Sequence, residues 1–153
     1  MRKREYRFQD QSGSTRSSLD RLYLLPKLGK LQYIRGTQYR HPANPATRTV
    51  VYVRGEKGYM RFNCFCWGYG GEGPHGLRRL FDALRIPQSI ATHVAHDIKS
   101  PDMKTPGECW RITCGEDFES FTLKVYEDGQ LVQHNAYELA SSPQPVQRQL
   151  ALA

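Results

Sequence analysis

Residues 49–68 carry the clearest alternation of hydrophobic and polar positions in the chain. Residues 49–54 are β-branched and aromatic and predict a strand, and the sequence Gly55-Glu56-Lys57-Gly58 predicts the turn that follows it. Residues 59–68 alternate again and predict a second strand, which forms an antiparallel hairpin with the first. We expect one face of this second strand to carry four apolar side chains: Met60, Phe62, Cys64 and Cys66.

The hydrophobic period changes to that of a helix after residue 76. Apolar residues then stand at positions i, i+3, i+4 and i+7, which predicts an amphipathic helix that packs on the sheet and ends at Pro87. These positions are Leu77, Leu80, Phe81 and Leu84. Ser89 is placed to cap a second helix over residues 89–98.

The last third of the chain returns to a strand pattern. Residues 110–114 and 121–125 each predict a strand, and Asp128-Gly129 predicts a tight hairpin turn into a strand over residues 131–134. One more strand is expected near residues 31–35.

This order of elements predicts an α+β fold in a single domain. We expect an antiparallel sheet of about five strands with one or two helices packed on one face. Residues 1–18 lack periodicity and are interpreted as a flexible basic arm, residues 19–140 as the α+β domain, and residues 141–153 as a disordered polar tail.

The positive charge of the chain is concentrated in its first third. Residues 1–48 contain 11 Lys and Arg against three acids, whereas residues 49–153 contain 11 against 12, within a formal net charge of +7. Such an asymmetry indicates a polyanionic partner.

Basic and aromatic residues interleave in this first third. Cations neutralise phosphates and aromatic rings stack on unpaired bases, so the pattern favours a nucleic-acid-binding segment. The candidate nucleic-acid-binding residues are Arg2, Lys3, Arg4, Arg7, Arg16, Arg35 and Arg40. The spacing fits no helix-turn-helix, zinc finger or RNP1 pattern, and DNA, RNA and an acidic protein surface all stay open as partners.

A glycine-rich stretch, residues 68–76, precedes the first predicted helix. Glycines allow backbone N–H groups to approach a ligand, and a helix N-terminus favours an anion, so this loop is a candidate phosphate site. Its candidate residues are Gly71, Gly73, His75, Gly76, Arg78 and Arg79. The stretch matches neither nucleotide-binding glycine motif, and the alternative is a tight connection between a strand and a helix.

The cysteines and histidines include two groups of candidate metal ligands. Cys64 and Cys66 with Cys109 and Cys114 would supply four thiolates, but their placement on an apolar strand face favours buried thiols. A second candidate group is His93, His96 and Asp97, for which a polar helix face is the preferred interpretation. We therefore expect no metal, no cofactor and, since no nucleophile motif is present, no catalytic residues.

The absence of a long apolar segment or a secretory signal indicates a cytoplasmic protein with no membrane association. The leading hypothesis is a small intracellular protein that binds nucleic acid, or a nucleic-acid–protein assembly, through its basic N-terminal region. One alternative is a nucleotide- or phosphometabolite-binding protein, either a sequestering binder or a small enzyme, that uses loop 68–76. Another is a protein-interaction subunit of a larger assembly.

Overall fold

A computed structural model describes residues 4–10, 14–41, 44–102, 105–115 and 120–138. Side chains are described in those ranges except at positions 40, 41, 44–48 and 138. The predicted tail over residues 141–153 lies outside the described residues.

One seven-stranded sheet organises the chain, in the order β1-β4-β3-β2-β5-β6-β7. The strands are β1 (Tyr6–Gln9), β2 (Leu31–His41), β3 (Asn44–Gly55), β4 (Gly58–Phe62), β5 (Gly107–Cys114), β6 (Ser120–Glu127) and β7 (Gln130–Glu138). β1 runs parallel to β4, and every other neighbouring pair is antiparallel. The α+β class is confirmed, whereas the expected antiparallel sheet of about five strands is corrected to a mixed sheet of seven.

Short helices form the second layer. They are α1 (Thr15–Leu19), a 3-10 helix (Leu22–Leu28), α2 (Glu72–Ala83) and α3 (Gln88–Thr92), which continues into a π-helical turn (His93–Asp97). Three residues of the predicted apolar stripe, Leu77, Leu80 and Phe81, are fully buried, while the fourth, Leu84, follows the end of α2 and is half-buried. They join one hydrophobic core with alternate residues of the central strands, among them Ile34 and Val53.

The register of the strands assigns each side chain to one of two faces. Ile34 lies opposite Val53 on one side and Ile112 on the other, and all three belong to the core beneath the helices. We call this the core face. Because strand side chains alternate, the neighbouring positions of the same strands lie on the other side of the sheet, which we call the open face.

The segment predicted to be a flexible arm contributes an edge strand. Tyr6 N–H donates to the Lys57 carbonyl at 2.8 Å, and the Phe8 ring packs 6.3 Å from that of Phe62. Residues 15–18 are also ordered, in α1, where the Thr15 hydroxyl donates to the Cys64 carbonyl at 3.1 Å. Cross-strand hydrogen bonds and buried aromatic contacts therefore hold residues 6–9 in the sheet, which corrects the expectation of a free arm over these residues.

The second strand of the predicted hairpin is shorter than the alternation indicated. β4 ends at Phe62, after which Phe65 and Trp67 are fully buried while Cys64 and Cys66 are only half-buried. Phe65 packs against Phe62 at 5.2 Å between ring centroids. The large aromatic side chains draw the chain over the core, so the predicted inward face of residues 64–66 is reversed.

Candidate functional site

The open face combines cationic and aromatic side chains from all of the strands except β7, which adds a histidine. Among the described residues, the helices lie on the opposite side of the sheet. Its charged, aromatic and amide side chains are Arg7, Gln9, Tyr33, Arg35, Tyr39, Tyr52, Arg54, Tyr59, Arg61, Arg111, Lys124 and His134. Two acids accompany them, Glu5 and Glu108, and each forms an ion pair with an arginine.

Seven of these side chains form one line across the whole sheet, directly opposite one another from strand to strand. In the order of the strands the line is Gln9, Arg61, Tyr52, Arg35, Arg111, Lys124 and His134, and we call it the cationic row. Four of the seven carry a permanent positive charge. The row is a property of the sheet register, because its members come from seven separate segments of the chain.

The centre of the cationic row opposes like charges. Arg35 lies directly opposite Arg111, which in turn lies directly opposite Lys124. Like charges in such cross-strand pairs destabilise a sheet. Arg111 Nε is 2.7 Å from Glu108 Oε1, and this is the acid–base pair that the described residues supply within the row. Among the described residues, the row therefore has more positive than negative charge.

Three tyrosines stack side by side on the open face. The ring centroids of Tyr33 and Tyr52 are 6.0 Å apart, and those of Tyr52 and Tyr59 are 5.0 Å apart, with interplanar angles of 23° and 22°. The Arg35 guanidinium lies 4.9 Å from the Tyr52 ring, and that of Arg111 lies 4.9 Å from the Tyr33 ring. These cation–π contacts hold two long side chains in place without neutralising them.

Burial affects the tyrosine hydroxyl at the centre of the stack. Partial removal from water raises the pKa of Tyr52 above its usual value of 10, outweighing the opposing effect of nearby Arg54. The Tyr52 hydroxyl therefore stays protonated at neutral pH and can donate a hydrogen bond to an acceptor above the sheet.

A concavity of about 380 Å³ opens on this face. Its lining residues are Gln9, Arg35, Thr37, Val50, Tyr52, Tyr59 and Arg61. Within it, the Nε–H of Arg35 is shielded from water and has no hydrogen-bond acceptor among the described residues. The concavity therefore combines two arginines, two tyrosines and small side chains in one lining.

The structure distributes the predicted nucleic-acid-binding residues unevenly. Arg7 and Arg35 lie on the open face. Arg4 is exposed just before β1, and Arg16 is exposed on α1, in the helical layer. The side chains of Arg2, Lys3 and Arg40 lie outside the described residues.

Sequence reasoning missed most of the open face. The residues that it missed are Tyr52, Arg54, Tyr59, Arg61, Arg111 and Lys124. They belong to a part of the chain whose acids and bases nearly cancel, and only the face on which each strand position lies separates them from those acids. The available signal was the placement of arginines and tyrosines at alternate strand positions, opposite the apolar ones.

At two positions of the glycine-rich loop, close packing leaves little room for a side chain. α2 begins at Glu72, inside the loop and earlier than predicted. A Cβ at Gly76 would overlap the Thr15 methyl group and crowd Phe65, and one at Gly73 would lie 3.1 Å from the Cβ of Cys66. These contacts are what a tight connector requires.

The polar candidates around this loop are dispersed. Gly71 precedes the helix, His75 is exposed with its ring 5.3 Å from that of His96, and Arg78 and Arg79 lie in the second turn. Glu72 places a negative charge in the first turn. A phosphate site here stays a prediction.

The cysteines and histidines have separate partners. Burial raises the pKa of Cys109 and of Cys114 to about 12, so both thiols stay protonated at neutral pH. His93 Nε2 lies 3.0 Å from Gln133 Oε1, and His96 Nδ1 lies 3.0 Å from the Tyr69 carbonyl oxygen. Within the described ranges, no group of three or more His, Cys, Asp or Glu side chains is arranged to hold a metal ion.

The helices of the described ranges are all too short or too polar to cross a membrane. Comparison of the chain with protein-family models, with curated proteins and with solved structures finds no match. The candidate functional site is the open face of the sheet.

Proposed function

We propose that this protein binds nucleic acid through the open face of its sheet. The observation that carries the proposal is the cationic row, in which Arg35 lies directly opposite Arg111 and Arg111 lies directly opposite Lys124. This arrangement costs stability in the free protein. A bound polyanion would place negative charge above these side chains and remove that repulsion.

The length of the cationic row favours a polymer over a small anion. Seven strands give six spacings of about 4.8 Å, so the row runs roughly 29 Å across the sheet. A single phosphate would meet one or two of its members. A nucleic-acid backbone carries a phosphate at every nucleotide, and it can contact the row along its full length.

The tyrosines favour nucleic acid over an acidic protein. Tyr33, Tyr52 and Tyr59 form a stack among the cations, and Arg61 lies 5.9 Å from the ring of Tyr39. Aromatic rings and guanidinium planes both stack on bases, which an acidic peptide does not offer. The proposed site retains Arg7 and Arg35 from the basic N-terminal region and adds the cations of the later strands.

The test compares two variants that lose the same charge on opposite sides of the molecule. Arg111→Gln combined with Lys124→Gln removes two cations from the open face. Arg16→Gln combined with Arg79→Gln removes two exposed cations from the helical layer. Affinity for a short labelled oligonucleotide is measured by fluorescence anisotropy over a series of salt concentrations.

We expect the open-face variant to bind about tenfold more weakly at physiological salt. Its plot of log K against log salt concentration should be shallower by about 1.5, because two phosphate contacts are lost. The helical-layer variant should keep the affinity and the slope of the wild type. Equal losses in the two variants would place the binding elsewhere, and a loss confined to Arg16→Gln/Arg79→Gln would favour the helical layer and loop 68–76.

A further inference from the structure

We infer that the open face binds single-stranded nucleic acid and that the concavity around Arg35 holds one unpaired nucleotide. This inference rests on the proposed function and adds the form of the ligand and the place of one of its units.

The concavity has the chemistry of a nucleotide site. In the cationic row, Arg61 and Arg35 lie on the strands on either side of Tyr52, and the Arg35 guanidinium lies 4.9 Å from the Tyr52 ring. Val50 and Thr37, which lie opposite each other on β3 and β2, add small side chains to the lining. Guanidinium groups bind phosphate oxygens with paired donors, and tyrosine rings pack against a base. The volume of about 380 Å³ lies in the range of small-ligand sites.

The Arg35 side chain lines the concavity. Its guanidinium rests on the Tyr52 ring, and its Nε–H is shielded from water with no acceptor among the described residues. Guanidinium N–H groups donate charge-assisted hydrogen bonds to the oxygens of a phosphate and also bind a carbonyl oxygen of a base. A ligand in the concavity would meet Arg35 through the terminal N–H groups of its guanidinium.

The width of the open face excludes its insertion into the major groove of a duplex. The major groove is about 12 Å wide and accepts a helix or a two-stranded ribbon. The sheet is roughly 29 Å wide and cannot enter it. In a duplex the bases are also stacked and paired, whereas a single strand can turn one base into a concavity.

Electrostatics alone predicts the opposite preference. A duplex has a higher charge density than a single strand and releases more counterions per contact. A surface that used only its cationic row would therefore bind a duplex at least as well as a single strand. A preference for the single strand would therefore show that the concavity and the tyrosines contribute to binding.

The first measurement uses the wild-type protein. A labelled oligonucleotide is titrated as a single strand and again after annealing to its complement, at the same salt concentration. We expect the single strand to bind at least about tenfold more tightly, since each stacked base adds a contact that the duplex lacks. Adenosine monophosphate serves as a competitor that supplies the base and the phosphate without the polymer.

The second measurement locates the preference with two variants that keep the charge. Arg35→Lys removes the planar guanidinium from the concavity, and Arg21→Lys makes the same change at an exposed position of the helical layer, outside the cationic row. Lysine retains the point charge but loses the paired donors. We expect Arg35→Lys to weaken single-strand binding about tenfold and duplex binding by less than about twofold, while Arg21→Lys leaves both as in the wild type.

The outcomes separate this inference from the proposed function. Equal binding of single strand and duplex, with both weakened by the Arg111→Gln/Lys124→Gln variant, overturns the inference and retains the proposed function. A single-strand preference that survives Arg35→Lys also overturns it, whereas competition by adenosine monophosphate that Arg35→Lys abolishes supports a nucleotide site in the concavity. Failure of the wild type to bind any nucleic acid at low salt overturns both.

Discussion

The two faces of the sheet both gather aromatic side chains, but they arrange them differently. On the core face, Trp110 meets Trp67 and Phe81 edge to face, at 87° and 73°, and all three are fully buried. On the open face, Tyr52 and its neighbours stack nearly parallel among arginines. The core aromatics fill space against one another and against the helices. The open-face rings instead lie among cations, with Arg35 over Tyr52 and Arg111 over Tyr33.

This difference distinguishes a face packed for stability from the face proposed to bind. The core face buries its apolar surface within the chain, whereas the open face places like charges opposite one another. A sheet that needed its second face only for stability would not place Arg35 opposite Arg111, because that pairing costs free energy. Substitutions on the core face should therefore lower stability more than substitutions on the open face.

The largest effect is expected for Trp110→Ala, which truncates an aromatic side chain of the core face. The indole lies against Gly36, where a Cβ would overlap it, and its removal leaves a cavity that the surrounding β-strands cannot close. We expect the free energy of unfolding to fall by about 3–5 kcal/mol. Chemical denaturation, followed by far-UV circular dichroism, measures the change.

The matched variant on the open face is Tyr33→Ala, which truncates an aromatic residue two positions from the cationic row on β2. Tyr33 is half-buried, so less apolar surface is lost and solvent can fill the space. We expect a loss less than half of that caused by Trp110→Ala. Comparable losses would contradict the division of roles between the two faces.

A weaker variant, Lys124→Gln, tests the repulsion directly. Removing one of two opposed cations should raise the free energy of unfolding by about 0.2–1 kcal/mol and weaken oligonucleotide binding at the same time. Thermal unfolding and anisotropy measured on the same preparation would show the opposite signs.

The control for Lys124→Gln is Lys99→Gln. Lys99 Nζ lies 3.8 Å from Asp128 Oδ2, so this cation has an acidic partner. Its loss should lower stability by at most about 1 kcal/mol and leave binding unchanged. A loss of stability in Lys124→Gln would argue against repulsion in the cationic row.

The smallest expected effect concerns the ion pair at the edge of the open face. The hydrogen bond from Arg54 holds the pKa of Glu5 below its ordinary value of 4.5, and Arg7 contributes at 3.3 Å. The folded pKa is the lower one, so this stabilisation is present above pH 4.5 and is lost as the pH falls through the folded pKa.

We therefore expect Glu5→Gln to lower the melting temperature slightly at pH 6 and to have no effect at the acidic end of the profile. Melting curves of both proteins between pH 6 and pH 3 would show this convergence. A difference that grows as the pH falls would contradict the ion pair as its cause.

Regular, local patterns in the sequence predicted much of the core face. The stripe of α2 follows from its period, and the Asp128-Gly129 turn is confirmed, with φ values of 51° and 80° at the two positions. Both are features of neighbouring residues. β1 was missed because four residues carry little periodicity and its partner β4 lies far along the chain.

The open face was missed for a related reason. Counting charge along the chain placed the basic surface in the first third, yet Arg111 and Lys124 come from the part whose charges nearly cancel. The pairing of β2 with β5 and of β5 with β6 brings them into line with Arg35. Local composition cannot supply that register, because it depends on pairings between distant segments.

The parallel pairing of β1 with β4 also sets an order of assembly during synthesis. β1 is made first, but its place in the sheet exists only after residues 58–62 have been added. At about 5–20 residues per second, the ribosome needs several seconds to reach them. Arg7 and Gln9 therefore reach the open face only once that hairpin has formed, although β1 is made before it.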